Sequence, residues 1–277
     1  MAALLSILSA LMWGTADFLG GLTARRRSAV AVYLGSQVFG FLLLLSVALV
    51  RGDWHAPLGY LGWGIALGII GFISMVAFYR ALALGPMGLV SPLVAVAVVL
   101  PVVVGFVSGE APSGLEIAGI AVAFLGVLLA SGPELTGAES MKPLLYTLVA
   151  AFGFGMLYVG MAKGSEISPS MTMLSFRATS MVILVILVVA TRDLGGVTSA
   201  DLPVLAAIGI LDATANLLFG FASTLGLLST TSVLSSLYPV ATAVLAAIVL
   251  RERLRPIQYA GVTIAMVGVV LLTAGGA

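Results

Sequence analysis

The sequence predicts an all-α membrane protein: ten transmembrane helices arranged as two inverted five-helix repeats. Three observations carry that expectation. Hydrophobic residues make up 61% of the 277 residues and charged residues only 8%, where an ordinary soluble domain is about 25% charged. The apolar residues fall into runs of about 20, the length that crosses a bilayer. The chain also repeats itself, since Glu252, Gly261 and Gly268 reproduce the spacings of Glu110, Gly119 and Gly126 at a shift of 142 residues. The same shift pairs Ala118 with Ala260, Ala123 with Ala265, Val127 with Val269 and Leu129 with Leu271.

Taken in order, the runs lie at 3–23, 29–50, 58–83, 87–107, 113–131, 143–162, 168–190, 203–228, 230–250 and 256–275. The first begins at Ala3 without a basic leader, so it reads as a span and not as a cleaved signal peptide. The shortest junctions hold Gly85-Pro86, between spans three and four, and Ser229-Thr230-Thr231, between spans eight and nine. Span four contains Ser91-Pro92 and Pro101, and span nine contains Tyr238-Pro239; a proline inside a span frees backbone carbonyls. Spans five and ten carry small-residue faces, Gly119/Ala123/Gly126 and Gly261/Ala265/Gly268, against which another backbone can lie close. The longest linker, 132–142, divides a first repeat at 1–131 from a second at 143–277. Five passes is an odd number, so the second repeat is expected upside down relative to the first. In such architectures substrate sites lie near the midplane, between the halves.

Composition removes several classes of function. A net charge of +1 leaves no basic footprint for nucleic acid. No cysteine means no disulfide and no thiolate metal site, and the single histidine, His55, sits in a charged turn with Arg51 and Asp53. No cofactor is expected.

Ionisable groups inside spans each require an account, because a charge at the bilayer centre costs about 2.5–3.5 kcal/mol even on lenient insertion scales. Asp17 falls deep in span one. Asp212, Asn216 and Phe219 share a face of span eight at i, i+4 and i+7. The repeat shift carries Asn216 onto Ser74 in span three, and a shift of 141 pairs Trp13-Gly14 with Phe154-Gly155 and Asp17 with Tyr158. Spans one, three, six and eight are therefore the expected walls of a central cavity. Trp13, Phe78, Phe154, Tyr158 and Phe219 are its candidate aromatic lining, with Ser235 and Tyr238 from the polar stretch of span nine. The Asn, Ser and Tyr residues have a second reading, as hydrogen-bond glue between helices. Arg177 lies nine residues after Ser168 and Gln37 nine residues after Ser28, matched positions in spans seven and two. Arg177 and Arg80 are read as structural, snorkelling to the interface or tying down a carbonyl. Glu110 and Glu252 are read as caps or ion pairs at span ends.

Trp13-Gly14, Tyr238-Pro239 followed thirteen residues later by Glu252, and the twin Glu-to-Gly-to-Gly endings resemble the drug/metabolite transporter superfamily, EamA-like branch. The resemblance covers nearly the whole chain. The first repeat departs from it, with Ala97 where proline is expected thirteen residues before Glu110. The resemblance implies a multi-pass inner- or plasma-membrane carrier working by alternating access, often an exporter of amino acids or other small metabolites. It also implies cytoplasmic termini. The Lys/Arg distribution implies the opposite: two in turns on the terminal side (Arg51, Lys163) against eight on the other. The expected partners are a small-molecule substrate and the lipid bilayer, with proton uptake by Asp17 or Asp212 as an option. Two alternatives stay open, an intramembrane enzyme using Asp17 and Asp212 as an aspartyl pair, and a membrane subunit with no transport of its own.

Overall fold

Eleven α-helices and three short 3₁₀ turns organise the described residues of a computed structural model, which are 1–24, 26–84, 94, 96–130, 141–191, 196–249 and 256–275. The helices are α1 (Ala2–Ala24), α2 (Ala29–Arg51), α3 (Gly59–Leu84), α4 (Val99–Val107), α5 (Gly114–Ala130), α6 (Met141–Ser165), α7 (Pro169–Thr191), α8 (Leu202–Leu225), α9 (Leu228–Ser235), α10 (Tyr238–Val249) and α11 (Pro256–Gly275). No strand occurs among the described residues. A chain this apolar satisfies its backbone N–H and C=O groups inside each helix, because lipid offers no partner for them.

Seven helices, α1, α2, α3, α6, α7, α8 and α11, are long and apolar enough to cross a membrane. The other three expected spans differ from the expectation of uniform crossings. Span four is described only as the apolar helix Val96–Val107, and α5 has 17 residues. Span nine is split into α9, with 8 residues, and α10, with 12. The split has a local cause. Residue 239 is proline, which has no N–H to donate to the carbonyl four residues earlier; that residue is Ser235, the last of α9. The Gly85-Pro86 junction, Ser91-Pro92, the 132–140 linker, Glu252 and the side chain of Arg80 lie outside the described residues.

Helix packing is reciprocal between the two matched segments. α1 packs on α8 as α6 packs on α3, and α2 packs on α8 as α7 packs on α3. α1 also meets α10, as α6 meets α4. Each of these last two contacts is set by a glycine. A Cβ on Gly14 would stand 2.6 Å from the Tyr238 carbonyl oxygen, and one on Gly155 would stand 2.8 Å from the Leu100 Cβ of α4 and 2.7 Å from the Ala97 carbonyl oxygen just before it. The small-residue faces of α5 and α11 meet each other within the chain. A Cβ on Gly126 would lie 2.3 Å from the Ala265 nitrogen, and one on Gly268 would lie 2.4 Å from the Ala123 nitrogen. At that seam the two backbones are in contact.

The turns gather at two ends. At one, Arg27 pairs with Asp201 at 3.0 Å. At the other, Ser113 Oγ donates to the Gly275 carbonyl at 3.2 Å, and Gly226 lies against Ala2. Ser170 donates to Asp53, and the Arg51 guanidinium stands 5.1 Å over the Phe221 ring. Both helical termini of the described chain therefore share an end. Glu110 sits there as a cap on a neighbouring helix. Its carboxylate accepts from the Leu228 N–H, the Ser229 N–H at 3.0 Å and Ser229 Oγ at 2.6 Å, which covers the first turn of α9.

Gly126→Ala and Gly268→Ala are each expected to cost about 1–3 kcal/mol, because the added methyl group meets backbone and the helices must move apart. Gly21→Ala is the control: nothing lies within 4 Å of a Cβ there, so a gain of about 0.5–1 kcal/mol is expected. Unfolding of the detergent-purified protein measures the order, with the two seam variants below the parent chain and Gly21→Ala at or above it.

Candidate functional site

At the centre of the bundle the helices part and leave a cavity of about 180 Å³. Eight of the eleven candidate residues line it: Trp13, Asp17, Phe78, Phe154, Tyr158, Asp212, Asn216 and Tyr238. They come from α1, α3, α6, α8 and α10. The walls also include α2, through Tyr33, and α7, through Phe176 and Arg177. The four-helix expectation is thus widened by three more helices.

Three candidates stand behind the lining. Ser74 is 1% exposed, and its Oγ donates to the Ile70 carbonyl at 2.6 Å. A Cβ on Gly153 would fall 1.9 Å from that Oγ, so the hydroxyl fills the seam between α3 and α6. Ser235 is fully buried, and its Oγ donates to the Ser6 carbonyl at 3.4 Å, tying α9 to α1. Phe219 is also fully buried, with its ring centroid 5.1 Å from that of Tyr158 and 6.1 Å from that of Trp13. It backs the aromatic wall instead of facing the space.

That wall is a set of edge-to-face contacts, the preferred arrangement of ring quadrupoles. Trp13 meets Tyr158 at 5.8 Å and 89°, and meets Tyr238 at 6.3 Å and 74°. Phe78 and Phe154, on α3 and α6, meet at 5.8 Å and 67°. The rings hold one another in place across four helices.

The charged part of the site is built around Arg177. Its Nη2 lies 2.5 Å from Asp212 Oδ2, and its Nη1 donates to Gln37 Oε1 at 2.6 Å. The Asn216 amide donates to the Asp212 carbonyl at 2.7 Å and to Asp212 Oδ2 at 3.2 Å. The i, i+4 spacing on α8 thus orients the carboxylate for the guanidinium. The Arg177 side chain is 4% exposed and that of Asp212 32%. A Cβ on Gly40 would stand 3.3 Å from the Arg177 guanidinium carbon, so the guanidinium occupies space that a side chain on α2 would fill.

This corrects the reading of Arg177 as a snorkelling residue. With Asp212 and Gln37 beside it, the guanidinium has partners inside the bundle and no need of the interface. The matched positions of Gln37 and Arg177 in spans two and seven were the visible signal. Their shared partner on α8 was not visible, because nothing in the spacing links span seven to span eight at that depth. Tyr33 was missed as well, although it precedes Gln37 by one helical turn and shares its face.

Asp17 is different. It follows Trp13 by one turn of α1, its side chain is exposed into the cavity, and it makes no hydrogen bond or ion pair among the described residues.

A bundle of apolar helices around a ring-lined central cavity with a few charged groups in its wall has the form of a membrane carrier. The chain matches the EamA-like transporter family over residues 1–132 and 141–274, and it belongs to that family, whose members are membrane transporters of small molecules. It is accordingly a multi-pass membrane protein. No curated protein matches the sequence. Among solved structures, a crystal structure of a protein superposes with a TM-score of 0.84 at 16% identity, over 99% of this chain and 97% of that one. At that identity the likeness concerns the fold alone.

Removing one member of a buried ion pair costs about 3–5 kcal/mol. Arg177→Met is expected at the lower end, since Asp212 is a third exposed and keeps Asn216. Arg177→Met combined with Asp212→Asn is expected to recover part of that loss, with a coupling above about 1 kcal/mol in a double-mutant unfolding cycle. Additive losses would mean that the two side chains do not act as a pair.

Proposed function

We propose that this protein is a secondary transporter that moves small metabolites across an inner or plasma membrane by alternating access, in the direction of export. The observation that carries the reading is the cavity, which lies where the two matched segments meet and takes walls from both: α1, α2 and α3 from the first, α6, α7, α8 and α10 from the second. A binding site at such a seam is exposed to one side or the other as the halves rock against each other.

The inverted arrangement of two five-helix repeats, 1–131 and 143–277, belongs to the same proposal. The reciprocal packing of α1 on α8 and α6 on α3, and of α2 on α8 and α7 on α3, supports it. So does the sorting of the turns, in which each described contact between turns joins members of one end of an alternating ten-pass path. In this reading Trp13, Phe78, Phe154, Tyr158 and Tyr238 pack against the substrate, Asn216 holds Asp212 in place, and Asp17 is the free charge. Phe219, Ser74 and Ser235 keep the walls in register. The engagement of Asp212 by Arg177 speaks against an aspartyl pair, which needs two carboxylates sharing a proton with each other.

The purified chain reconstituted alone into liposomes and loaded with a mixture of amino acids, amines and other small metabolites is the test. Time-dependent loss of particular solutes is expected, slowed at least tenfold by Asp17→Asn. Absence of flux for every solute would end the carrier reading and favour a non-transporting subunit. Coupling to protons through Asp17 predicts that an imposed pH gradient changes the rate in the parent chain and leaves Asp17→Asn indifferent; an unchanged parent rate removes the coupling.

A further inference from the structure

We propose that the cavity selects organic cations, a protonated amine or quaternary ammonium carried on an apolar body of about one ring. The inference rests on the carrier reading above and adds the sign of charge. It begins with an inventory of the charges that face the space. Among the described lining residues these are Asp17, Arg177 and Asp212. Arg177 and Asp212 neutralise each other at 2.5 Å, and the other terminal nitrogen of Arg177 is committed to Gln37. The Arg177 Nε has no partner among the described residues and is buried, so an incoming carboxylate cannot reach that nitrogen; each terminal nitrogen keeps a second N–H, but the charge they share is already matched by Asp212. The Asn216 amide is likewise engaged with Asp212. Among the described residues Asp17 alone presents a charge to the space with no counter-ion, and it is exposed there.

The uncharged walls favour the same sign. Trp13, one turn from Asp17, stands with Tyr158 and Tyr238 in a cluster whose centroids are 5.8 and 6.3 Å from the indole. Aromatic faces carry the negative end of the ring quadrupole and attract ammonium groups. A carboxylate beside such rings is the arrangement that holds a cation from two directions. An anionic solute would meet repulsion from both and find the guanidinium charge already matched by Asp212. A zwitterion would satisfy Asp17 but bring a carboxylate for which no unmatched positive charge lines the described space. Size narrows the class further: a cavity of about 180 Å³ is a little larger than the roughly 150 Å³ cavity that holds benzene. One ring with a short charged arm fits that volume.

The experiment uses the full chain in detergent and four probes built on one phenyl ring with a short charged arm: phenethylamine, phenethyltrimethylammonium, phenylalanine and 3-phenylpropionate. Calorimetric titration is expected to show binding of both cations, phenylalanine at least tenfold weaker, and no binding of 3-phenylpropionate. Asp17→Asn is expected to weaken both cations at least tenfold. The quaternary probe has no N–H to donate, so its binding reports charge and ring contact in place of a hydrogen bond. Should Asp17→Asn fail to fold, the ranking of the four probes on the parent chain decides by itself. Equal or tighter binding of the anion or the zwitterion would overturn the proposal, as would unchanged cation affinity in Asp17→Asn, or no binding of either cation. Flux of the same probes from liposomes separates the two readings. Cations that bind but do not cross leave the charge selection standing and sink the carrier; a transported anion does the reverse.

Discussion

Helices in lipid gain nothing by hiding apolar side chains from their solvent, because lipid tails are as apolar as leucine. What holds this bundle together is contact between backbones, and that contact requires residues with little or no side chain at the seams. Gly126 and Ala123 of α5 lie directly on Ala265 and Gly268 of α11, with backbone atoms in the place a Cβ would take. The same device recurs at Gly14 against α10 and at Gly155 against Ala97. At that separation dispersion between main chains replaces the hydrophobic effect as the source of affinity between helices. The rest of the structure is arranged around these seams.

Between these seams stand larger residues, and around the cavity the packing stops being tight. Rings from α1, α6, α8 and α10 brace one another at 5.1–6.3 Å, and the opening they frame holds the ionisable groups. A guanidinium in such a place is tolerable only with a carboxylate and further hydrogen bonds around it. Arg177 has Asp212 and Gln37, and Asp212 has Asn216. The cluster ties α2, α7 and α8 together at the depth of the cavity, so a structural element and a wall of the site are the same group of atoms. Asp17 remains outside this network and faces open space.

Much of this was legible in the residues. Long apolar runs, the repeat of Glu110-Gly119-Gly126 at Glu252-Gly261-Gly268, and the i, i+4 pair Asp212/Asn216 pointed to a bundle with a polar interior. The small-residue stripes announced close packing, and the Tyr238-Pro239 dipeptide announced the break between α9 and α10. These are local signals: each depends on spacing along one helix, which 3.6 residues per turn converts directly into a face. Glu110 was legible only as a residue at a helix end. That it caps α9, more than a hundred residues away, depends on where two helices end relative to each other.

By itself, then, the sequence determined the class of structure, the positions of most spans and the list of polar and aromatic residues that a membrane interior must explain. The tertiary structure alone decided which of those residues share a space. It moved Ser74, Ser235 and Phe219 behind the walls, brought Tyr33 and Arg177 into them, gave Asp212 to Arg177 and left Asp17 without a partner among the described residues. The physical reason is that a helix periodicity fixes which residues point the same way but not which neighbour they point at. Rotation and depth of each helix are set by the seams with the others, and a charge is paired or free according to those seams.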